Sequence, residues 1–178
     1  MTPQQKHLTR VMAAILLAGG LGACGTLSRQ RAEEQQYVDE PVARIYNRGA
    51  DNLDRRRWAQ AIQAFEEVER QHPYSSWARR AMLMQAYAHY QANQYDEAIE
   101  NAQRFLSLHP GNESAPYAYY LVAMCHFERI LDVGRDQATT ERALTALNDV
   151  VRRYPESTFA RDARLKIDMV YDQLAGKE

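Results

Sequence analysis

Three prolines constrain this chain more than any other feature. Pro73, Pro110 and Pro155 sit in one repeated frame of residues. Alanine stands twelve residues before each (Ala61, Ala98, Ala143), and again five after (Ala78, Ala115, Ala160) and eight after (Ala81, Ala118, Ala163). Ile62, Ile99 and Leu144 lie eleven before, and Val68, Phe105 and Val150 five before. The outer frames agree further: Pro73-Tyr-Ser-Ser-Trp77-Ala-Arg79-Arg-Ala81 overlies Pro155-Glu-Ser-Thr-Phe159-Ala-Arg161-Asp-Ala163. Such a period means stacked units, each burying its apolar face on a neighbour. Glycine (8) and proline (6) are sparse while Ala, Leu, Arg, Gln and Glu abound, so the units are helical. Each proline closes one helix, because the residue before proline avoids the α region. Ser75 or Ser76, and Ser157 or Thr158, then cap the next.

The pattern resembles the tetratricopeptide repeat, a helical hairpin of about 34 residues. The resemblance implies an all-α, tetratricopeptide-like helical hairpin solenoid of about three and a half repeats over residues 41–178. Gly49, Ala86 and Ala123 take the small position of the first helices, and Ala61, Ala98 and Ala143 that of the second, so paired helices approach closely. Trp58 and Tyr95 open second helices. The prolines are 37 and then 45 residues apart, so the third repeat carries extra length. It is expected around residues 130–140, with Gly134 as a helix stop. Phe159 to Leu174 reads as the first helix of a fourth repeat.

The first 40 residues read differently. Lys6, His7 and Arg10 precede an apolar run from Val11 to Leu21, too short for the roughly 20 residues that span a bilayer. That is the layout of a secretory signal. It ends Leu21-Gly22-Ala23-Cys24, which resembles the lipobox of bacterial lipoproteins, where small residues enter the peptidase cleft and the cysteine takes the diacylglycerol. Residues 1–23 are therefore expected to be a signal peptide, Cys24 the lipidated residue, and 24–40 a flexible tether with almost nothing to bury. Fully extended, that tether spans roughly 55 Å. More than one acyl chain is needed to hold a protein firmly, and lipoproteins of this type carry three. By the same resemblance, Gly25 in place of an aspartate favours the periplasmic face of the outer membrane. Cys125 is then the free thiol of an oxidising compartment and should be buried.

Counting helical positions from the prolines places an aromatic-rich set on the first helices: Tyr46; Leu83, Tyr87 and Tyr90; Tyr117, Tyr120, Met124 and Phe127. In such arrays first helices line a concave groove, and Tyr offers large contact area with a polar tip for peptide backbone. Packing between helices is the other use for the same rings. Catalytic signals are missing. The histidines, His7, His72, His89, His109 and His126, show no metal-motif spacing, and there is no nucleophile elbow, phosphate-cradling loop or zinc cysteine pair. His72 and His109 each precede a repeat proline and belong to the repeat. A net charge of −1, or −3 once Lys6 and Arg10 leave with the signal, excludes nucleic acid as a partner. No cofactor, metal or enzyme activity is expected.

Longer motifs narrow the reading. Phe65-Glu-x-Val-x-Arg70-x-x-Pro-Tyr-Ser-x-Trp-Ala, Tyr95-Asp-Glu-Ala-Ile99 with Arg104-Phe-Leu-x-Leu-His-Pro-Gly111, and Tyr117-Ala-Tyr-Tyr-Leu121 stand behind the lipobox. Arg135-Asp-Gln137, Arg153-Tyr-Pro-x-Ser157 and Leu174-Ala-Gly-Lys-Glu178 follow them. Together they resemble the BamD (ComL) family of β-barrel assembly lipoproteins over nearly the whole mature chain. The resemblance implies docking on BamA, contact with other Bam lipoproteins, and binding of unfolded outer-membrane β-barrel precursors through their C-terminal signal. Family members have about five repeats, so this chain reads as C-terminally truncated relative to them. Another periplasmic repeat lipoprotein, a pilotin or an envelope-constriction factor, is the alternative; it shares anchor and fold but not the Arg135-Asp-Gln137 motif.

Overall fold

A computed structural model describes residues 41–133 and 137–175, with the side chains of 131–133 and 173–175 left aside. The expected signal peptide, Cys24, the tether, Gly134, Arg135, Asp136 and the last three residues lie outside the described residues. Among the described residues seven helices follow one another: α1 (Val42–Asp54), α2 (Trp58–Gln71), α3 (Ser76–Gln91), α4 (Tyr95–Leu108), α5 (Ala115–Val133), α6 (Gln137–Arg153) and α7 (Thr158–Ala175). They form three hairpins and the first helix of a fourth unit.

The prolines act as expected. α2 and α4 each stop two residues before theirs, and the intervening His72 and His109 adopt nearly the same bridging backbone (φ −133°, ψ 54° and φ −135°, ψ 55°). Of the candidate caps, Ser75 and Ser157 are the ones used: each hydroxyl accepts a 3.0 Å bond from the backbone N–H three residues on. Asn112, in the same place after Pro110, accepts from the Ser114 N–H instead.

The turns inside hairpins have another device. Arg56 and Asn93, one repeat apart, hold left-handed backbones at φ 55° and 59°. Around them the N–H groups of Arg57 and Gln94 reach back to the carbonyls of Asn52 and His89 at 2.8 and 2.9 Å. This is the Schellman closure, which satisfies carbonyls at a helix end. Trp58 and Tyr95 then begin the second helices. The extra length of the third repeat is shared between its helices: α5 extends further past Pro110 than α3 does past Pro73, and α6 starts earlier relative to its proline than α4.

Each helix packs on the next, and first helices also meet one another: α1 on α3, α3 on α5, α5 on α7. Second helices make no such backbone approach among the described residues. Where α2 and α4 are joined, long side chains do it, with Arg104 reaching Glu69 through two bonds of 2.8 and 3.0 Å. Close first helices and spaced second helices curve the array, with the first helices inside. The core is beaded along the array. Ile45, Leu53, Ile62, Phe65 and Val68 fill the first bead, and Met124, Phe127, Leu147, Val150 and Val170 the last. The small positions meet their neighbours closely: Gly49 faces Phe65, Ala86 clusters with Ala102 and Leu121, and Ala123 with Leu147.

Candidate protein-binding groove

Rings on the inner helices bridge one repeat to the next. Tyr46 of α1 lies 4.9 Å between centroids from Trp77 of α3, and 5.4 Å from Phe65. Tyr117 and Tyr120 of α5 flank Phe159 of α7 at 5.4 and 5.3 Å. The Tyr90 hydroxyl of α3 donates to Glu128 of α5 at 3.2 Å, and the Tyr120 hydroxyl donates to Asp162 of α7. Lys166 completes that second link, 3.4 Å from Asp162 and with its ammonium 5.2 Å from the Phe127 centroid.

These contacts set the electrostatics. Burial first, and the facing Glu128 or Asp162 carboxylate next, push the Tyr90 and Tyr120 phenols above their ordinary range. Burial and then the neighbouring Tyr87 do the same to Tyr117. Tyr46 is raised by burial, with Arg80 opposing. All therefore stay neutral donors at physiological pH. Two of the donors are committed to carboxylates, whereas the hydroxyls of Tyr87 and Tyr117 make no hydrogen bond among the described residues.

The eight expected groove residues divide by depth. Leu83, Met124 and Phe127 are each under a tenth exposed and pack in the seams between helices. Tyr46, Tyr87, Tyr90, Tyr117 and Tyr120 are half-buried. The available surface is thus a tyrosine strip floored by those three apolar residues. Beside Tyr46 lies a cleft of about 340 Å³ lined by Arg79, Arg80, Leu83, Met84 and Phe105, and by Asn112, Glu113 and Ser114 of the segment before α5. Arg79 and Arg80 are exposed, and Arg80 stacks 5.6 Å over Trp77.

Sequence reasoning missed Arg80, Asp162 and Glu128. Arg80 and Asp162 stand seven residues after their prolines, the register of Tyr117, so the repeat frame contained that signal. Glu128 carried none. Cys125 is fully buried, and burial pushes its thiol up to about 12. Among the described residues no His, Cys, Asp and Glu cluster could hold a metal ion, and no helix is long and apolar enough to cross a membrane.

Comparison with known proteins agrees with this architecture. Over 167 residues the chain is 58% identical to the outer membrane protein assembly factor BamD of Caulobacter vibrioides, covering 94% of this chain and 54% of that protein. It is 37% identical over 172 residues to BamD of Rickettsia prowazekii, covering 96% and 66%. The chain spans about half to two thirds of the length of these relatives. Among solved structures, the TPR domain of Arabidopsis OM64 superposes with a TM-score of 0.55 at 11% identity, over 74% of this chain and 97% of that one. A MamA RS-1 double mutant superposes at 0.52 and 15% identity, over 100% and 98%. Those two likenesses concern the fold alone, an all-α tetratricopeptide-like solenoid. Residues 38–178 match the family described as outer membrane lipoprotein, YfiO, and the chain belongs to that family.

Proposed function

We propose that this chain is a lipid-anchored periplasmic scaffold of outer-membrane β-barrel assembly, not an enzyme. It holds unfolded barrel precursors in the tyrosine groove and meets BamA and other Bam lipoproteins through the rest of its surface. Cys24 carries the anchor on the periplasmic face of the outer membrane, and residues 24–40 tether the array. The relatives bear the name of outer membrane protein assembly factor, which supports the role. The observation that carries the groove assignment is the strip of half-buried tyrosines beside a cleft rimmed by two exposed arginines. Barrel C-terminal segments alternate apolar residues, finish in an aromatic ring and end in a carboxylate. Rings stack on rings, the free Tyr87 and Tyr117 hydroxyls meet peptide backbone, and Arg79 and Arg80 suit the carboxylate. Binding is modest, because a disordered segment loses entropy on docking.

The test is titration of a labelled barrel C-terminal peptide, with helicity followed by circular dichroism. Tyr87→Ala with Tyr120→Ala should weaken binding while the protein stays folded. Tyr120→Phe, which keeps the ring and removes only the bond to Asp162, should bind as the parent does. Glu66→Gln with Glu100→Gln, on second helices, should matter little. A folded Tyr87/Tyr120 variant that binds normally sends the substrate elsewhere. Cys24→Ala should leave an uncleaved or soluble precursor; mass spectrometry of the mature chain showing an unmodified Cys24 at its start refutes the anchor.

A further inference from the structure

The turn from α1 to α2 carries three consecutive exposed arginines, Arg55, Arg56 and Arg57, whose guanidiniums pair with no carboxylate among the described residues. Arg56 occupies the left-handed backbone at φ 55°, whereas the next repeat puts Asn93 there at 59°. A Cβ-bearing side chain is strained in that region, and Asn tolerates it best after glycine. A turn needing only its shape gains nothing from arginine, and strain kept at one position is an outlier from which function is inferred. Beside this turn opens a notch of about 680 Å³ between the outer face of α2 and the α3–α4 turn. Arg56 and Arg57 stand at its rim, Trp58 and Ile62 give it apolar wall, and Gln60, Gln63, Glu66 and His89 give it polar wall. Its volume lies in the roughly 300–1,000 Å³ range of ligand sites.

We propose that this notch is a second docking site, separate from the tyrosine groove, for an acidic segment of a partner protein in which carboxylates alternate with apolar side chains. Unpaired guanidiniums recognise carboxylates through paired N–H bonds. Trp58 and Ile62 take the apolar side chains between them. The amides of Gln60 and Gln63 donate and accept, as a peptide backbone requires and a lipid surface does not. Glu66 repels a carboxylate seated beside it, so the segment's carboxylates gather at the arginine rim of the notch. With the whole chain at a formal charge of −1, attraction comes from this local patch and weakens with salt.

The chain has two tryptophans, so a Trp77→Phe background makes emission report Trp58 alone. In that background a short synthetic peptide alternating Glu and Leu should change Trp58 emission saturably, more weakly as salt rises, while a Gln/Leu peptide should not. Replacing the three arginines together (Arg55→Gln, Arg56→Asn, Arg57→Gln) should weaken binding about tenfold or more, with helicity kept. Arg57→Gln alone leaves the strained turn untouched and should weaken it about threefold. Tyr87→Ala with Tyr120→Ala should leave this binding intact. The proposal is overturned by an arginine variant that is folded and binds as the parent does, by loss of binding in the tyrosine variant, or by a response to phosphatidylglycerol vesicles without one to the peptide.

Discussion

Gly49 offers the sharpest test of how these hairpins are held together. It lies inside α1, where glycine costs a helix about 1 kcal/mol relative to alanine. On propensity alone, Gly49→Ala should stabilise the protein by that amount. The structure reverses the sign. A Cβ at Gly49 meets Cε1, Cζ and Cδ1 of Phe65 at 2.6, 2.8 and 2.9 Å, where carbon atoms normally settle at about 3.5–4.0 Å. Phe65 is fully buried, and its ring is held edge-on to Tyr46 at 5.4 Å, so it has nowhere to tilt. Overpacking of this kind costs about 1–3 kcal/mol. An overlap of roughly an ångström against a rigid ring belongs in the upper part of that range, leaving a net loss of about 1–2 kcal/mol after the propensity gain. The assay is urea unfolding followed by circular dichroism on four proteins: parent, Gly49→Ala, Phe65→Leu and the double variant. Leucine at 65 makes room, so the two substitutions should couple favourably by about 1–2 kcal/mol. If Gly49→Ala raises stability by the full propensity increment whatever stands at 65, the close approach of α1 and α2 is wrong.

Three further outcomes are expected. Ala98→Leu, at a fully buried seam position, should lower stability by about 1–3 kcal/mol, while Gln103→Leu on the exposed face of the same helix should stay within about 0.5 kcal/mol; calorimetric melting separates them. His126 is half-buried, and burial first, then Arg129 and Arg142, hold its folded pKa below the ordinary 6.5. The unfolded chain therefore takes up this proton first, so stability is whole above about pH 6.5 and falls as pH drops below it; His126→Gln should flatten that part of a melting-temperature profile. Cys125, with its thiol pushed up to about 12, should resist alkylation in the folded protein and react on unfolding, as peptide mapping will read.

The repeat was legible because its signals are local. Proline before a helix, serine two residues later and alanine where helices touch each act within a few residues, and Ser75, Ser157, Ala61 and Ala98 all do what their spacing says. The Arg56 turn was not legible, since arginine has no preference for the left-handed region and the closure depends on carbonyls of the helix before it. Extra length near residue 130 was visible, but its division between α5 and α6 was not, because both flanking segments continue in helical register. In the groove the register placed the tyrosines on the first helices. It did not say that Leu83, Met124 and Phe127 sink below a tenth exposed, because one stripe of a first helix faces both the groove and the next helix.

That shared stripe explains the choice of tyrosine. Tyr46, Leu83, Tyr120 and Leu165 occupy one register position in four successive first helices, yet their surroundings differ. Leu83 fills its seam, clustered with Phe105 and Ala118, and has no polar tip to reach across it. Leu165 is 63% exposed, with no further helix among the described residues lying over it. Tyr120 packs its ring on Phe159 and still reaches Asp162 with its hydroxyl, so one side chain both seals the seam and crosses it. Once Asp162 accepts from the hydroxyl, the polar tip of the side chain is satisfied at the seam and needs no partner elsewhere. A leucine would supply the seal without the reach to Asp162, and a charged residue the reach without the seal. Along an array whose stability is a sum of neighbouring contacts, tyrosine lets an interface between repeats be both packed and hydrogen-bonded, and the proposed groove would use those rings without opening the interface.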